Sequence, residues 1–450
     1  MTTRSALRPL LAALGLALAS VDPAAAQTAA IDWTETPLSA GGRVIAVGGL
    51  SPGFAGVFLA LPAGTAASPG DPRLALLAPR AFLGARASWE PAGPPLEAAL
   101  ARLGWRLETR CELESAEIAL LGPSAGLETA LGFLLERLAA PAELDAEALE
   151  TAWRLHEVER AGWAASPEYA LRAEMAAAIH PGRPDGLDAG HPEQPEPPSP
   201  AREALAAFLG ERYQAGAALL LLAGDLQPRV LLDRWRPVLD ALPGHPLPPP
   251  QRPEPASQGS ERRRPSGGPT LLLYQFPGPA GQAESAPAAA LLAGVLSLFV
   301  QSELRGEGLA SGGSAWFDFS TPGPRPVELQ LRGFAPDRLP ALRTKVERVL
   351  DRLRRGEFSE YQLITAKDQL FTRIDAASGR GHGPTDGSLQ ALTLWSREVL
   401  REGLYFAAWR EQFLAAALRV DAAGLRAEAQ RLLQPERATM GLLLPPESLD

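Results

Sequence analysis

The stretch that decides how this chain is organised is PGHPLPPPQRPEPASQGSERRRPSGGP, residues 243–269. Proline cannot donate a backbone hydrogen bond and glycine has no side chain to pack, so a stretch rich in both is typical of an extended linker. The basic triplet Arg262–Arg264 lies inside it and is interpreted as part of this solvated linker rather than as a binding patch. The linker separates two halves of similar length, 27–242 and 270–450, once residues 1–26 are set aside.

Both halves show the same order of elements. Apolar or alternating stretches predict strands at 43–47, 56–61, 105–112, 117–121 and 217–223 in the first half, and at 270–274, 315–320, 327–332 and 439–444 in the second. Leucines at helical spacing, such as Leu127, Leu131, Leu134 and Leu138, predict helices between and after these strands. Strands followed by helices, twice over, predict an α+β fold of two homologous α/β-sandwich domains joined by the linker.

The N-terminus carries a targeting signal. Arg4 and Arg8 precede an apolar stretch at 10–18, and the small residues Ala24–Ala26 precede Gln27. The apolar stretch is shorter than the about 20 residues that span a bilayer, and no later segment is expected to span one. The sequence therefore predicts a signal peptide at 1–26 and a mature protein exported to a bacterial periplasm.

Composition narrows the class of protein. Hydrophobic residues make up 46% and charged residues 21%, as in a folded protein, and the net charge of -9 argues against a nucleic-acid-binding protein. The single cysteine, Cys111, excludes an intramolecular disulfide. Its position in a predicted strand favours a packing role over a nucleophilic one.

Several short motifs follow one another along the chain. They are LPAGT at 61–65, FLGA at 82–85, AIHPGRP at 178–184, AALLLLAGDL at 217–226, SELRGEGLA at 302–310 and Ala366-Lys367. In this order they resemble the insulinase/pitrilysin-type zinc metallopeptidases, the family that includes the mitochondrial processing peptidase and the core subunits of respiratory complex III. The resemblance covers nearly the whole mature chain.

The resemblance implies a zinc site that this chain does not have. Enzymes of the family carry the inverted motif H-x-x-E-H on a helix, in which two histidines bind zinc and the glutamate is the general base. Counted back from Phe82, these positions are Ala75, Ala78 and Pro79, and no two of the five histidines are four residues apart. We therefore expect no catalytic residue, no metal and no cofactor.

The family places its third zinc ligand on a downstream helix that has two glutamates seven residues apart. By this resemblance they fall on Ala152 and Glu159, so a residual ligand slot is kept at Glu159 and its companion is lost. The other interpretation, which we favour because no histidine joins it, is a surface carboxylate on a charged helix. His156 on the same helix is interpreted as a core or boundary histidine.

Many relatives bind the substrate peptide through an arginine and a tyrosine about two helical turns apart. Arg305 matches the arginine, whereas the tyrosine position falls near Ser311 or Gly312. Arg305 could bind a peptide carboxylate, or it could satisfy the last carbonyl groups of its helix. Both interpretations stay open.

These expectations lead to a hypothesis of function. Family enzymes enclose the substrate in a chamber of four α+β domains, of which a chain of this length supplies two. The leading hypothesis is an inactive half-shell subunit that forms a heterodimer with an active, zinc-motif paralogue and contributes peptide binding. The alternative is a stand-alone exported peptide-binding or envelope scaffold protein without a peptidase partner. In neither case is the chain expected to be an enzyme on its own.

Overall fold

The structure is a computed structural model in which residues 32–68, 70–84, 95–112, 114–144, 146–179, 199–247, 259–278, 285–317, 326–378, 392–393, 396, 400 and 409–448 are described. Residues 164, 305, 373–378 and 409–412 are described by their backbone alone. The predicted signal peptide, 1–26, lies outside the described residues.

The first half folds around a six-stranded mixed sheet. Its strands are β1 (Asp32–Pro37), β2 (Arg43–Gly48), β3 (Phe54–Leu61), β4 (Arg106–Cys111), β5 (Ala116–Pro123) and β6 (Leu219–Gly224). They lie in the order β1-β2-β6-β3-β5-β4, and all pairs are antiparallel except β2-β6. Because side chains alternate between the faces of a strand, Val57 and Leu59 of β3 enter the core on one face, whereas Phe58 lies on the other.

Helices cover one face of this sheet. The helices of the first half are α1 (Arg73–Gly84), α2 (Leu96–Arg102), α3 (Leu127–Ala139), α4 (Ala146–Ala164), α5 (Pro167–Ile179), α6 (Arg202–Arg212) and α7 (Pro228–Asp240). The predicted apolar face of α3 is confirmed, since Leu127, Leu131, Leu134 and Leu138 are all buried. Cys111, at the end of β4, packs against the same core. Strand β1 and helix α7 were not predicted from the sequence.

The second half repeats the arrangement around a five-stranded sheet. Its elements are β7 (Glu261–Pro265), β8 (Leu271–Phe276), α8 (Ala286–Phe299), β9 (Gly312–Phe317), β10 (Val327–Arg332), α9 (Leu339–Arg355), α10 (Glu360–Ser378), α11 (Trp409–Arg419), α12 (Ala422–Leu432) and β11 (Thr439–Leu444). The strands lie in the order β7-β11-β8-β10-β9. Two sheets with their own helices confirm the predicted α+β architecture of two similar halves.

The prediction that 243–269 is an extended, solvated linker is wrong for its C-terminal part. Residues Glu261–Pro265 form the edge strand β7, which runs parallel to β11. An edge strand has one side free, so it tolerates a proline at its end and a row of charged side chains. Three of these charges have partners: Glu261 pairs with Arg343 at 3.0 Å and with Arg263 at 2.6 Å, and Arg264 pairs with Glu174 at 3.0 Å. The domain limits 27–242, 243–269 and 270–450 stay predictions.

Each half covers the free face of the other half's sheet. Helix α5 belongs to the first half by sequence, but its Leu171 and Met175 pack on Leu271, Leu273 and Leu443 of the second sheet. In return, Leu392 and Leu400 pack on the face of the first sheet that its own helices leave open. The two halves are therefore interlocked through their cores and not merely tethered by a linker.

Charged groups surround the apolar contact of α5 with the second sheet. The guanidinium of Arg172 donates to Glu328 at 2.6 Å and to Gln330 at 3.1 Å. The Glu168 carboxylate accepts a hydrogen bond from Arg332 at 2.6 Å. Glu328 is 6% exposed and also accepts a hydrogen bond from Gln275. A buried carboxylate that is fully hydrogen-bonded fixes the register of α5 on the sheet.

Helix α8 contradicts the expectation that no later segment could span a membrane. Ala286–Leu304 is long and apolar enough by length and composition, with a mean hydropathy of 1.5. However, 61% of this window is buried inside the protein. Its Leu291, Leu292 and Leu296 are fully buried members of the second core. The apolar character of α8 is thus explained by its central place in the second half.

We expect the substitution Arg172→Met to lower the free energy of unfolding by about 1–3 kcal/mol, because it leaves the buried Glu328 carboxylate without its charged donor. Chemical denaturation measures this loss. The matched control is Arg154→Met on α4, whose exposed side chain donates only to Thr151. Equal stability of the two variants would contradict a role for Arg172 in joining the halves.

Candidate functional site

The three positions of the absent zinc motif lie on α1, the most enclosed helix of the first half. Ala75 and Ala78 are 0% exposed, and Pro79 is also buried. The helix continues through Pro79, whose ring lacks the N–H that would bond to the preceding turn. Among the described residues, no group of three His, Cys, Asp or Glu side chains could hold a metal ion.

Helix α4 packs along α1 and brings Glu159 to it. The carboxylate of Glu159 accepts a hydrogen bond from the guanidinium of Arg80, the residue directly after the last zinc-motif position. The Arg80 side chain is 19% exposed and that of Glu159 is 41% exposed. Glu159 is therefore a partly exposed carboxylate on a charged helix, and a residual role as a metal ligand slot stays a prediction. Glu159 is bonded to a cation that α1 itself supplies.

A cavity of about 360 Å³ lies where α1, α2, α4 and β4 meet. Its polar lining consists of Arg80, Glu97, Glu108, Thr109, Thr151 and Glu159. Ala152, the position of the lost companion glutamate, also lines it. The structure thus brings both predicted positions of α4 to one cavity, next to the helix of the zinc-motif positions. A larger groove of about 580 Å³ between α3 and α7 contains none of these residues.

His156 lies one turn before Glu159 and is 2% exposed, which confirms its prediction as a core or boundary histidine. Its ring is 5.8 Å from that of Trp153 and 6.5 Å from that of Trp163. Burial lowers the pKa of the imidazole below its ordinary value of 6.5, and the positive charge of Arg80 lowers it further. The buried imidazole is therefore held in its neutral form.

The second predicted site surrounds Arg305. This residue ends a π-helical segment, Val300–Arg305, that continues α8, and such segments occur often at functional sites. The side chain of Arg305 lies outside the described residues. At the position of the missing tyrosine, the Ser311 hydroxyl donates to the carbonyl of Arg332 at 3.1 Å, and Gly312 begins β9. Whether Arg305 binds a peptide stays a prediction.

Comparison with known proteins identifies the fold and gives a family match for one segment of the chain. Residues 201–370 match the family model described as the peptidase M16 inactive domain. Over these residues the chain is similar to the M16 family. The positions that the resemblance assigns to the zinc motif, Ala75, Ala78 and Pro79, lie outside the matched segment.

Solved structures show the same architecture as this chain. A protease from Helicobacter pylori has 15% identity and a TM-score of 0.68, covering 92% of this chain and 100% of the other. The peptidase M16 inactive domain from Pseudomonas fluorescens has 20% identity and a TM-score of 0.69, covering 92% and 98%. A mutant of the ferredoxin protease FusC in complex with Arabidopsis ferredoxin has 19% identity and a TM-score of 0.58, covering 93% of this chain and 45% of the other. No curated protein matches the sequence.

Two observations concern catalytic activity. The matched domain is described as inactive, and the three motif positions carry side chains that neither bind zinc nor transfer a proton. Together these two observations support a peptidase-like protein without the zinc motif.

The sequence did not predict that Arg80 is the hydrogen-bond partner of Glu159. Arg80 was not predicted as a site residue. It directly follows Pro79, the last position assigned to the motif, so counting from Phe82 places it on the same helix. Glu97 and Glu108 carried no signal, because they approach the cavity only through the packing of α2 and β4.

The Arg80–Glu159 pair joins α1 to α4, so we expect a measurable coupling between the two residues. A double-mutant cycle with Arg80→Met and Glu159→Gln should give a coupling energy of about 0.5–1 kcal/mol, a modest value because Glu159 is partly solvated. The control cycle uses Arg106 and Glu108, a more exposed pair at 3.2 Å within β4. A coupling no larger than that of the control would show that the pair does not join the helices.

The neutral, buried state of His156 predicts a pH-dependent stability. A base whose pKa is lowered by folding adds stability above its unfolded pKa, and this stability is lost as the pH falls below that value. We therefore expect the free energy of unfolding to fall as the pH drops below about 6.5. In the variant His156→Gln this part of the pH dependence should disappear. Denaturation curves at a series of pH values provide the measurement, and parallel profiles for both proteins would contradict the assignment.

Proposed function

We propose that this chain is the non-catalytic half-shell subunit of an exported, periplasmic zinc-peptidase complex. An active paralogue with an intact H-x-x-E-H motif would be its partner, and this chain would contribute chamber wall and peptide binding. The proposal rests on one observation. Helices α1 and α4 and strand β4 pack around a polar cavity, but α1 has no zinc-binding side chain at the positions assigned to the motif.

The lengths of the similar proteins support a half-shell. The chain spans 98% of the Pseudomonas fluorescens M16 inactive domain but only 45% of the ferredoxin protease FusC. One chain therefore has the extent of about one half of that protease. A chamber of the same size would need a second chain, and a zinc-less chain needs that second chain to supply the metal site.

Strand β4 supports a role in peptide binding. It is the last strand of its sheet, and no described strand pairs with its outer edge. Its central residues Leu107, Glu108 and Thr109 line the cavity. The free N–H and C=O groups of an edge strand can pair with an extended peptide, and nearby pockets then select side chains. The cavity and the edge together form the surface that we propose for the peptide.

Co-expression of the mature chain, from residue 27 on, with the H-x-x-E-H paralogue of the same genome tests the proposal. We expect a heterodimer by size-exclusion chromatography with light scattering, and chelator-sensitive peptide hydrolysis by the pair but not by this chain alone. The control is the paralogue by itself.

Two results would overturn the half-shell assignment. One is hydrolysis by the isolated chain that requires zinc. The other is a mature chain that stays separate from the paralogue at concentrations where the paralogue is active. In the second case the stand-alone binding protein would replace the half-shell as the function to be tested.

A further inference from the structure

A π-helical segment follows α8 and ends at Arg305, the residue predicted to bind a peptide. Val300–Arg305 continues α8 directly, and the N–H of Leu309 still bonds to the carbonyl of Leu304, five residues before it, at 3.1 Å. Such turns are rare and mostly occur singly within α-helices. Each residue of an α-helix adds about 100° around the axis. The wider turn therefore decides on which side of the helix position 305 lies.

The inner side of this segment packs in the second core. Val300 and Leu304 are each 1% exposed and belong to that core. Apolar contacts have no preferred direction. The burial of these two side chains alone therefore does not select a π-helical turn over an α-helical one, and a directional contact on the outer side is needed.

Charged side chains of α9 provide this directional contact. Glu303, inside the segment, accepts a hydrogen bond from the guanidinium of Arg352 and pairs with Lys345 at 3.3 Å. Lys345 also donates to Glu307, in the turn after the segment, at 2.6 Å. The side chains of Glu303 and Lys345 are 22% and 16% exposed, so solvent screens their attraction only in part. Two cations of one helix thus hold the segment through a single carboxylate.

The first half fixes the end of α1 in a different way. The guanidinium of Arg352 lies 4.8 Å from the centre of the Phe299 ring at the end of α8, and that of Arg137 lies 5.3 Å from the Phe82 ring near the end of α1. Arg137 donates to the carbonyl of Phe82 itself at 2.8 Å. Arg352 instead donates to Glu303, beyond the end of α8. The contact in the second half therefore reaches into the segment that ends at position 305.

We propose that Glu303 is the positioning residue for Arg305. Held by Lys345 and Arg352, its carboxylate keeps Val300–Arg305 in the π-helical form and so fixes the place of position 305 on the surface. The proposal rests on the peptide binding proposed above and on the predicted role of Arg305 in it. Glu303 acts through the backbone of the segment and not by contact with the peptide.

Hydrogen–deuterium exchange of the mature chain, measured by mass spectrometry, tests the effect on the backbone. The substitution Glu303→Gln keeps the size of the side chain and removes its charge. We expect it to speed amide exchange in residues 300–309 at least about threefold, because the loss of two ion pairs makes local opening easier. The matched control is Asp351→Asn, which removes a carboxylate that pairs with Arg354 within α9. This control should leave exchange in 300–309 unchanged.

A second measurement connects the segment with peptide binding. The probe is a fluorescent peptide without charged side chains, prepared with a free C-terminal carboxylate and with a C-terminal amide, and binding is followed by anisotropy. Because a guanidinium pairs with a carboxylate, we expect the acid to bind about three- to fivefold more tightly than the amide. Arg305→Met should remove this difference.

The same two peptides separate positioning from general damage. Glu303→Gln should reduce the preference for the acid to less than about twofold and leave the affinity for the amide unchanged. A variant that is merely less stable would bind both peptides more weakly and to the same extent. Asp351→Asn should keep the full preference for the acid.

Unchanged exchange of residues 300–309 in Glu303→Gln would overturn the proposal, whatever the peptides show. A preference for the acid that survives in Glu303→Gln but disappears in Arg305→Met would also overturn it. Equal binding of acid and amide to the unaltered chain would remove the role of Arg305, and the proposal with it, while peptide binding would stand. Binding of neither peptide would overturn the proposed peptide binding as well.

Discussion

The enclosure of α1 between the first sheet and α4 is the constraint on which the rest of the site depends. The end of this helix is fixed by Arg137, which is 4% exposed and donates to the carbonyl of Phe82 at 2.8 Å. Its guanidinium also lies 5.3 Å from the centre of the Phe82 ring. A helix that is buried along its length and bonded at its end cannot shift without opening the core. The positions of the lost zinc ligands are therefore held in place without zinc.

The loss of the metal site is compatible with this packing because the replacements are small and apolar. Histidine and glutamate side chains at positions 75 and 78 would bury polar groups that need a partner. Alanine at both positions removes this need, and α4 lies close enough for a Cβ on Gly84 to be 3.4 Å from that of Ala148. Glu159 of α4, which lies beside this part of α1, is bonded to the guanidinium of Arg80. The fold retains the shape of the site because its stability comes from the apolar core, whereas the chemistry depended on a few side chains.

Local sequence patterns predicted most of the elements but not the contacts between distant segments. The strand at 327–332 and the strand at 439–444 were predicted with their observed bounds, because alternation and apolar runs are local signals. Strand β7 was missed because ERRRP has no apolar alternation and becomes a strand only by pairing with β11, far along the chain. The Arg80–Glu159 pair was not predicted either, because its two residues are 79 positions apart and meet only when α4 packs on α1. The zinc-motif positions were assigned by counting from Phe82, and the structure places all three on one helix; the assignment itself stays a prediction.

The exchange of segments between the halves limits how a chamber built from this chain could open. Separating the halves would expose Leu171 and Met175 of α5, together with the face of the second sheet that they cover. It would also break the hydrogen bond that Arg172 donates to the buried Glu328. Both contacts belong to one largely apolar interface between the halves. Domains usually move at interfaces that are smaller and more polar than this one. If the chain supplies half of a chamber, access for a peptide must therefore come from movement between the two subunits, with each half-shell moving as a unit.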